Sequence, residues 1–309
     1  MYKGVVMRKA ITGGPAAWTA REIRAFAAAV FAVFLWGLLP VLREHAASVP
    51  AMQMTALALA CAALVANLTG GQRADAENGP LVAVATWFVL SGALVGAIVF
   101  YFLGLSAAPA AQVTLITYVW PLMFIAASEM LTIGRVRAAV LFGALIAFAG
   151  AGLLIARDWQ GGLAAAHLWG YAAGLASGTC WTLYSLIVRG RPSLGAGFFP
   201  RLFTLGALIA GALHVWIEPT VWPIAPEAVL IAVTIGAGPY GLAFIAWAHG
   251  IRHGPVRAVG ALTYAVPVIA GALLVALGLA EPSWQLAAAT AAVLIGLAIS
   301  SRTGRARAA

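Results

Sequence analysis

Residues 104–121 read GLSAAPAAQVTLITYVWP, and residues 250–267 read GIRHGPVRAVGALTYAVP. The second stretch copies the first at a shift of 146 positions: Gly104 falls on Gly250, Pro109 on Pro255, Thr117-Tyr118 on Thr263-Tyr264 and Pro121 on Pro267. The register holds without a gap outward to Gly92 and Gly238 on one side and to Gly150 and Gly296 on the other. At a shift of 145, Trp36 meets Trp181. Such self-similarity divides the chain into two related halves.

The halves are apolar. Hydrophobic residues make up 63% of the 309 and charged residues only 9%, against about 25% charged in soluble domains. Apolar runs predict ten helical spans, at about 24–42, 50–68, 81–104, 109–131, 137–156, 167–188, 200–217, 226–248, 255–278 and 284–301, each near the ~20 residues that cross a bilayer. No run shows the alternation of a membrane strand. The predicted class is an all-α integral membrane protein. A cytoplasmic tail (1–23) precedes a first repeat (24–156). A periplasmic connector (157–166) leads to a second repeat (167–301) and a short cytoplasmic tail (302–309). The first span is too long for a typical signal-peptide core and reads as uncleaved.

Charge sets direction. Of the 18 Lys and Arg, 16 fall on one side of the predicted spans, and only Arg43 and Arg157 on the other. The positive-inside rule makes the crowded side cytoplasmic. Both termini are then inside, which requires an even number of spans. The repeat is offset by five spans, so the second half is inverted. Inverted repeats are a common build of alternating-access transporters, with the substrate site near the midplane. A net charge of +9 spread over short loops and tails does not make a nucleic-acid surface. The chain lacks a phosphate-binding lysine loop, a cluster with metal-ligand spacing and an intramembrane nucleophile set. No cofactor or metal, and no enzyme activity, is expected. Cys61 and Cys180 read as small core residues.

Proline and aromatics point to the site. A proline within a helix leaves the carbonyl four residues earlier without its partner, and hydrocarbon cannot satisfy it. Pro40, Pro121, Pro239 and Pro267 are therefore hinge candidates, freeing the carbonyls of Trp36, Thr117, Ile235 and Thr263. Trp36, Tyr118, Trp120, Trp181, Tyr184, Tyr240 and Tyr264 lie near mid-depth, where their polar tips need partners. With Thr117 and Thr263 they form the candidate substrate wall. Tyr101, Trp247 and His249 lie nearer helix ends and are candidate gates. Trp87, Trp169, Trp216 and Trp284 read as an interfacial belt. Glu129 can pair with Arg135 or Arg137 at the cytoplasmic end of its span.

These residues carry a family resemblance. Phe34-Leu35-Trp36-Gly37, together with Gly104…Pro109…Tyr118-x-x-Pro121 and its copy Gly250…Pro255…Tyr264-x-x-Pro267, resembles the EamA-type drug/metabolite transporter superfamily over about residues 24–301. The resemblance implies a basket-like bundle whose central cavity opens to either side in turn. It implies export of amphipathic metabolites such as amino acids. The alternative is an exporter of neutral drugs or other metabolites, and the distant alternative an integral-membrane enzyme or scaffold. The expected setting is a bacterial inner membrane, with a small molecule and the lipid bilayer as partners, no nucleic acid, and a monomer as working unit. The copies differ at Cys180-Trp181-Thr182, which stands where the first half has Leu35-Trp36-Gly37.

Overall fold

The computed structural model describes residues 18–44, 48–69, 80–156, 164–191 and 197–302. Most of the expected tails and connector, with Lys3, Arg8, Lys9, Arg73, Arg157, Arg305 and Arg307, lie outside the described residues. So do the side chains of Arg43 and Arg302. Among the described residues there are helices and no strands.

A capping box starts α1 (Ala20–Gly37): Thr19 Oγ1 accepts from the Glu22 N–H, and Glu22 accepts from the Thr19 N–H, so two otherwise orphaned donors are satisfied. The chain continues through α2 (Leu39–Glu44), α3 (Ala51–Thr69), α4 (Pro80–Ala107), α5 (Ala110–Thr117), α6 (Trp120–Ile133) and α7 (Ala138–Ile155). Then follow α8 (Leu168–Gly190), α9 (Phe198–Ile217), α10 (Pro226–Ile235), a π-helical turn (Gly236–Leu242), α11 (Ala243–His253), α12 (Val256–Leu262), α13 (Ala265–Ala276) and α14 (Trp284–Arg302). Eight segments are long and apolar enough to cross a membrane: α1–α2, α3, α4, α5–α6, α7, α9, α10–α11 and α12–α13. Helix α8 matches them in length but carries Tyr171, Ser177, Thr179, Thr182, Tyr184 and Ser185. Helix α14 is apolar over Trp284–Ser300.

Small residues set the packing. A Cβ on Gly104 would lie 2.7 Å from Val113 Cγ1 and 3.1 Å from the Gly170 oxygen. On Gly250 it would lie 2.8 Å from Ala29 Cβ and 3.2 Å from the Ala25 oxygen. These repeat-related glycines serve matching seams, α4 on α8 and α11 on α1. Gly150 and Gly296 both lie in the α7–α14 seam. Helices within lipid gain little from burying apolar surface against each other, so close backbone approach supplies the attraction.

The seam gives a test. Gly296→Val would place its Cβ 2.4 Å from the Gly143 oxygen and 2.8 Å from Ala147 Cβ. Overpacking of this kind costs about 1–3 kcal/mol, so the thermal midpoint in detergent falls. Gly92→Ala, which meets nothing within 4 Å, leaves it unchanged or slightly raised.

The two ends of the bundle differ chemically. At one end Arg189 donates to Thr132 Oγ1 at 3.2 Å, Arg191 donates to Thr86 Oγ1 at 2.7 Å, and Arg201 stands over the Trp87 ring at 4.9 Å. Arg137 and Arg257 meet Glu129 at the same end. At the opposite end Glu218 accepts from the backbone N–H groups of Met52 and Gln53, tying the end of α9 to the start of α3. Tyr171 donates to Gln112 there.

The basic end is closed: α6 packs on α12, and α8 on α11. Gly260 makes the first contact possible, because a Cβ there would stand 2.6 Å from Ile125 Cγ1. Toward the other end the neighbours change. Helix α5 packs on α4, α7 and α8, while α13 packs on α1, α2, α7 and α14.

Candidate functional site: an aromatic floor above a closed ionic end

Three helical passes are interrupted within their length. Helix α1 ends at Gly37, where a Cβ would collide with Ile269 of α13 at 2.5 Å, and α2 resumes with Pro40 in its first turn. Helices α5 and α6 are separated by Tyr118-Val119, and α12 and α13 by Thr263-Tyr264. Pro121 and Pro267 sit just inside the resumed helices, where a missing N–H costs little.

The carbonyls expected to be free have different surroundings. That of Thr263 accepts from the Val266 N–H at 3.1 Å, a tightened turn that takes up the orphan. That of Thr117 faces Gly178, where a Cβ would lie 2.8 Å from the oxygen; the missing side chain admits the approach. The hydroxyls are engaged as well. Thr117 donates to the Gly174 oxygen at 3.0 Å and Thr263 to the Gly260 oxygen at 2.7 Å. Around Pro239 the helix continues and widens to a π-turn over Gly236–Leu242. Such turns absorb a ladder defect without ending the helix.

Five aromatic residues converge where α1, α6, α8 and α11 meet. Trp36 stands 5.4 Å from Trp247, 5.7 Å from Phe244 and 6.2 Å from Trp181, centroid to centroid. Trp120 stands 6.0 Å from Trp247 and 6.3 Å from Trp181. Trp181 stacks on Phe244 at 5.5 Å, and the Tyr184 and Tyr240 rings meet Phe244 edge-on. Offset and edge-to-face pairs in this range each add about 0.5–1.5 kcal/mol beyond burial, so the floor is stiff. It is also anchored: Trp36 Nε1 donates to the Pro239 oxygen at 3.0 Å, and Trp247 Nε1 to Ser185 Oγ at 3.3 Å. Trp181 remains half-buried, whereas Tyr184 and Trp247 are fully covered.

Other residues singled out in the sequence lie elsewhere. Tyr264 is fully buried in a separate cluster with Ala147, Ala151 and Val293, its ring 5.9 Å from Phe148. Tyr118 packs on that cluster and is half-buried. Tyr101 bonds to Thr114 Oγ1 at 2.8 Å, toward the opposite end. His249 is exposed at the basic end, its ring 4.7 Å from His253.

The sequence reading missed Phe244 and Phe124. Phe244 lies four residues after Tyr240 and three before Trp247, on one helical face; Phe124 follows Trp120 by four and stands 6.2 Å from Trp247. That spacing was the available signal.

Beneath the floor lies the one buried carboxylate among the described residues. Glu129, 3% exposed, accepts from Arg137 at 2.9 and 3.2 Å and from Arg257 at 2.5 Å. Arg137 was an expected partner. Arg257, which lies 128 residues away in sequence, was not. The cluster joins the end of α6 to the starts of α7 and α12.

Comparisons place this arrangement among known proteins. The sequence profile described as "EamA-like transporter family" matches residues 164–302. The aromatic amino acid exporter YddG of Ancylobacter novellus is 35% identical over 279 residues, covering 89% of this chain and 96% of that protein. A crystal structure titled only "Crystal structure of protein" superposes with a TM-score of 0.84 at 31% identity, covering 93% of this chain and 99% of that one. The match runs nearly end to end: the chain is a multi-pass membrane protein and belongs to the EamA-like transporter family of the drug/metabolite transporter superfamily.

Proposed function

We propose that the chain is an alternating-access exporter of amino acids, aromatic ones included, in the inner membrane of a bacterium. The observation that carries the reading is the aromatic floor at mid-depth, in a chain similar to a protein named as an aromatic amino acid exporter. Indole and phenyl faces suit an apolar or aromatic side chain. The Trp120 and Trp181 indole N–H groups have no acceptor among the described residues, and both would serve a substrate carboxylate.

The working architecture is ten spans in two inverted halves, 24–156 and 167–301, with both termini cytoplasmic. Its support is the packing. Exchanging each pass with the one five later turns α4–α8 into α11–α1, α4–α9 into α10–α3, and α6–α7 into α13–α14; each of these pairs packs. The family profile begins at residue 164, beside the proposed second half. The basic end would face the cytoplasm.

Exchange symmetry fails where function requires it. The α8–α11 seam at the basic end would map to α1–α4 at the other, and these do not pack extensively among the described residues. A transporter caught open to one side must differ in this way, because its halves hold unlike conformations of like sequence. The conformation fits an outward-open state: a cytoplasmic end closed by α6–α12 and the Glu129 cluster, and a floor reached from the periplasm. Export then requires the bends at Gly37, Tyr118-Val119 and Thr263-Tyr264 to exchange roles.

The test is transport by purified protein in liposomes, using a panel of radiolabelled amino acids with and without a pH gradient. Phenylalanine and tryptophan are expected to move faster than through protein-free vesicles. Transport of no panel member sinks the substrate reading.

A further inference from the structure

A groove of about 430 Å³ lies at the basic end, away from the aromatic floor. Asn67 of α3, Trp87 of α4, and Pro200, Arg201, Thr204 and Leu205 of α9 line it. We propose that this groove binds the headgroup of an anionic phospholipid from the leaflet facing the basic end.

Arg201 carries the argument. It is exposed, stands 4.9 Å over the Trp87 ring, and has no carboxylate within ion-pair reach among the described residues. The ring restrains the cation without neutralising it. Among the described residues the donors of Arg201 are uncommitted, and they suit a phosphate, which a guanidinium can engage at two oxygens. A second cation is near: Arg191 donates to Thr86, the residue before Trp87. Thr204 adds a hydroxyl at the rim.

The walls decide between a lipid and a free anion. Leu205 lies in the groove and Leu208, also lining it, continues along α9 and is 65% exposed. These residues offer a path for acyl chain that inorganic phosphate would leave unused. Basic pockets between helices on the cytoplasmic side are suited to anionic headgroups. Occupancy would brace α3, α4 and α9 together at the closed end.

Native mass spectrometry of delipidated protein tests the proposal, with phosphatidylglycerol and phosphatidylcholine of the same acyl composition as probes. Wild type is expected to hold phosphatidylglycerol more tightly. Arg201→Gln should weaken that adduct about fivefold, the scale of one cation near a lipid surface, at an unchanged thermal midpoint. Arg135→Gln, a basic residue of the same end outside the groove, should leave it intact. Equal binding of both lipids, retention in Arg201→Gln, or equal loss in Arg135→Gln would each overturn the site. So would displacement of the lipid by millimolar inorganic phosphate, which would show a free-anion site.

Discussion

Glu129→Gln is expected to open the closed end. The carboxylate is buried and balances two guanidinium groups from different helices. The neutral amide keeps the shape but leaves Arg137 and Arg257 facing each other without a counter-charge. Breaking a buried pair costs about 3–5 kcal/mol. Both arginines are partly solvated, at 26% and 20% exposure, so roughly 3 kcal/mol is the better figure here. Where the loss falls on the closed state alone, the open-to-closed ratio shifts by about a hundredfold.

Accessibility reads this directly. In a background with Cys61 and Cys180 replaced by alanine, Ile125→Cys sits against Gly260 in the α6–α12 contact. Its maleimide labelling from the basic side should be slow, and should rise many-fold when Glu129→Gln is added. Arg257→Gln should have a smaller effect, because Glu129 then keeps Arg137. Unchanged labelling in Glu129→Gln would mean that the cluster merely fastens a rigid end.

Trp181→Ala is expected to reduce transport at least about tenfold while sparing the fold. Truncating a buried tryptophan costs about 3–5 kcal/mol of stability, which makes Trp247→Ala and Trp36→Ala poor probes of binding. Trp181 is only half-buried, so its removal costs the fold less and the floor's upper face more. Trp181→Phe separates the two parts of its role. Stacking on Phe244 survives and the N–H donor is lost, so transport should fall between wild type and alanine. A tenfold change corresponds to about 1.4 kcal/mol, within reach of one aromatic contact plus one hydrogen bond to a charged group. Tyr264→Ala makes the contrast: it lies in the α7–α14 cluster, so its effect should appear in the thermal midpoint. If Trp181→Ala transports like wild type, the floor is packing and the substrate sits elsewhere.

Much of this was legible before any coordinates. The breaks at Tyr118-Val119 and Thr263-Tyr264 follow from local chemistry, because Pro121 and Pro267 remove the ladder bonds to the Thr117 and Thr263 carbonyls wherever the helix is placed. The seam glycines were legible as repeats, though their partners were not. The pairing of Trp36 with Trp181 in the register hinted at a shared place, and their rings do meet. The placement of Tyr264 in the α7–α14 cluster was not legible, because depth along a helix says nothing about which face of it is turned inward. The Thr263 carbonyl misled because a local turn supplied the donor that a straight helix would lack.

By itself the sequence determined an apolar helical chain of two related halves, with its charges gathered at one end. Those properties are written residue by residue, in hydropathy, in the fixed φ and missing N–H of proline, and in loop composition. Only the tertiary structure decided that Arg257 reaches Glu129, that Phe244 completes the floor, and that α6 meets α12 and α8 meets α11 at the basic end. These depend on contacts between helices distant in sequence. The choice of neighbours therefore lies in the packing and not in either half alone.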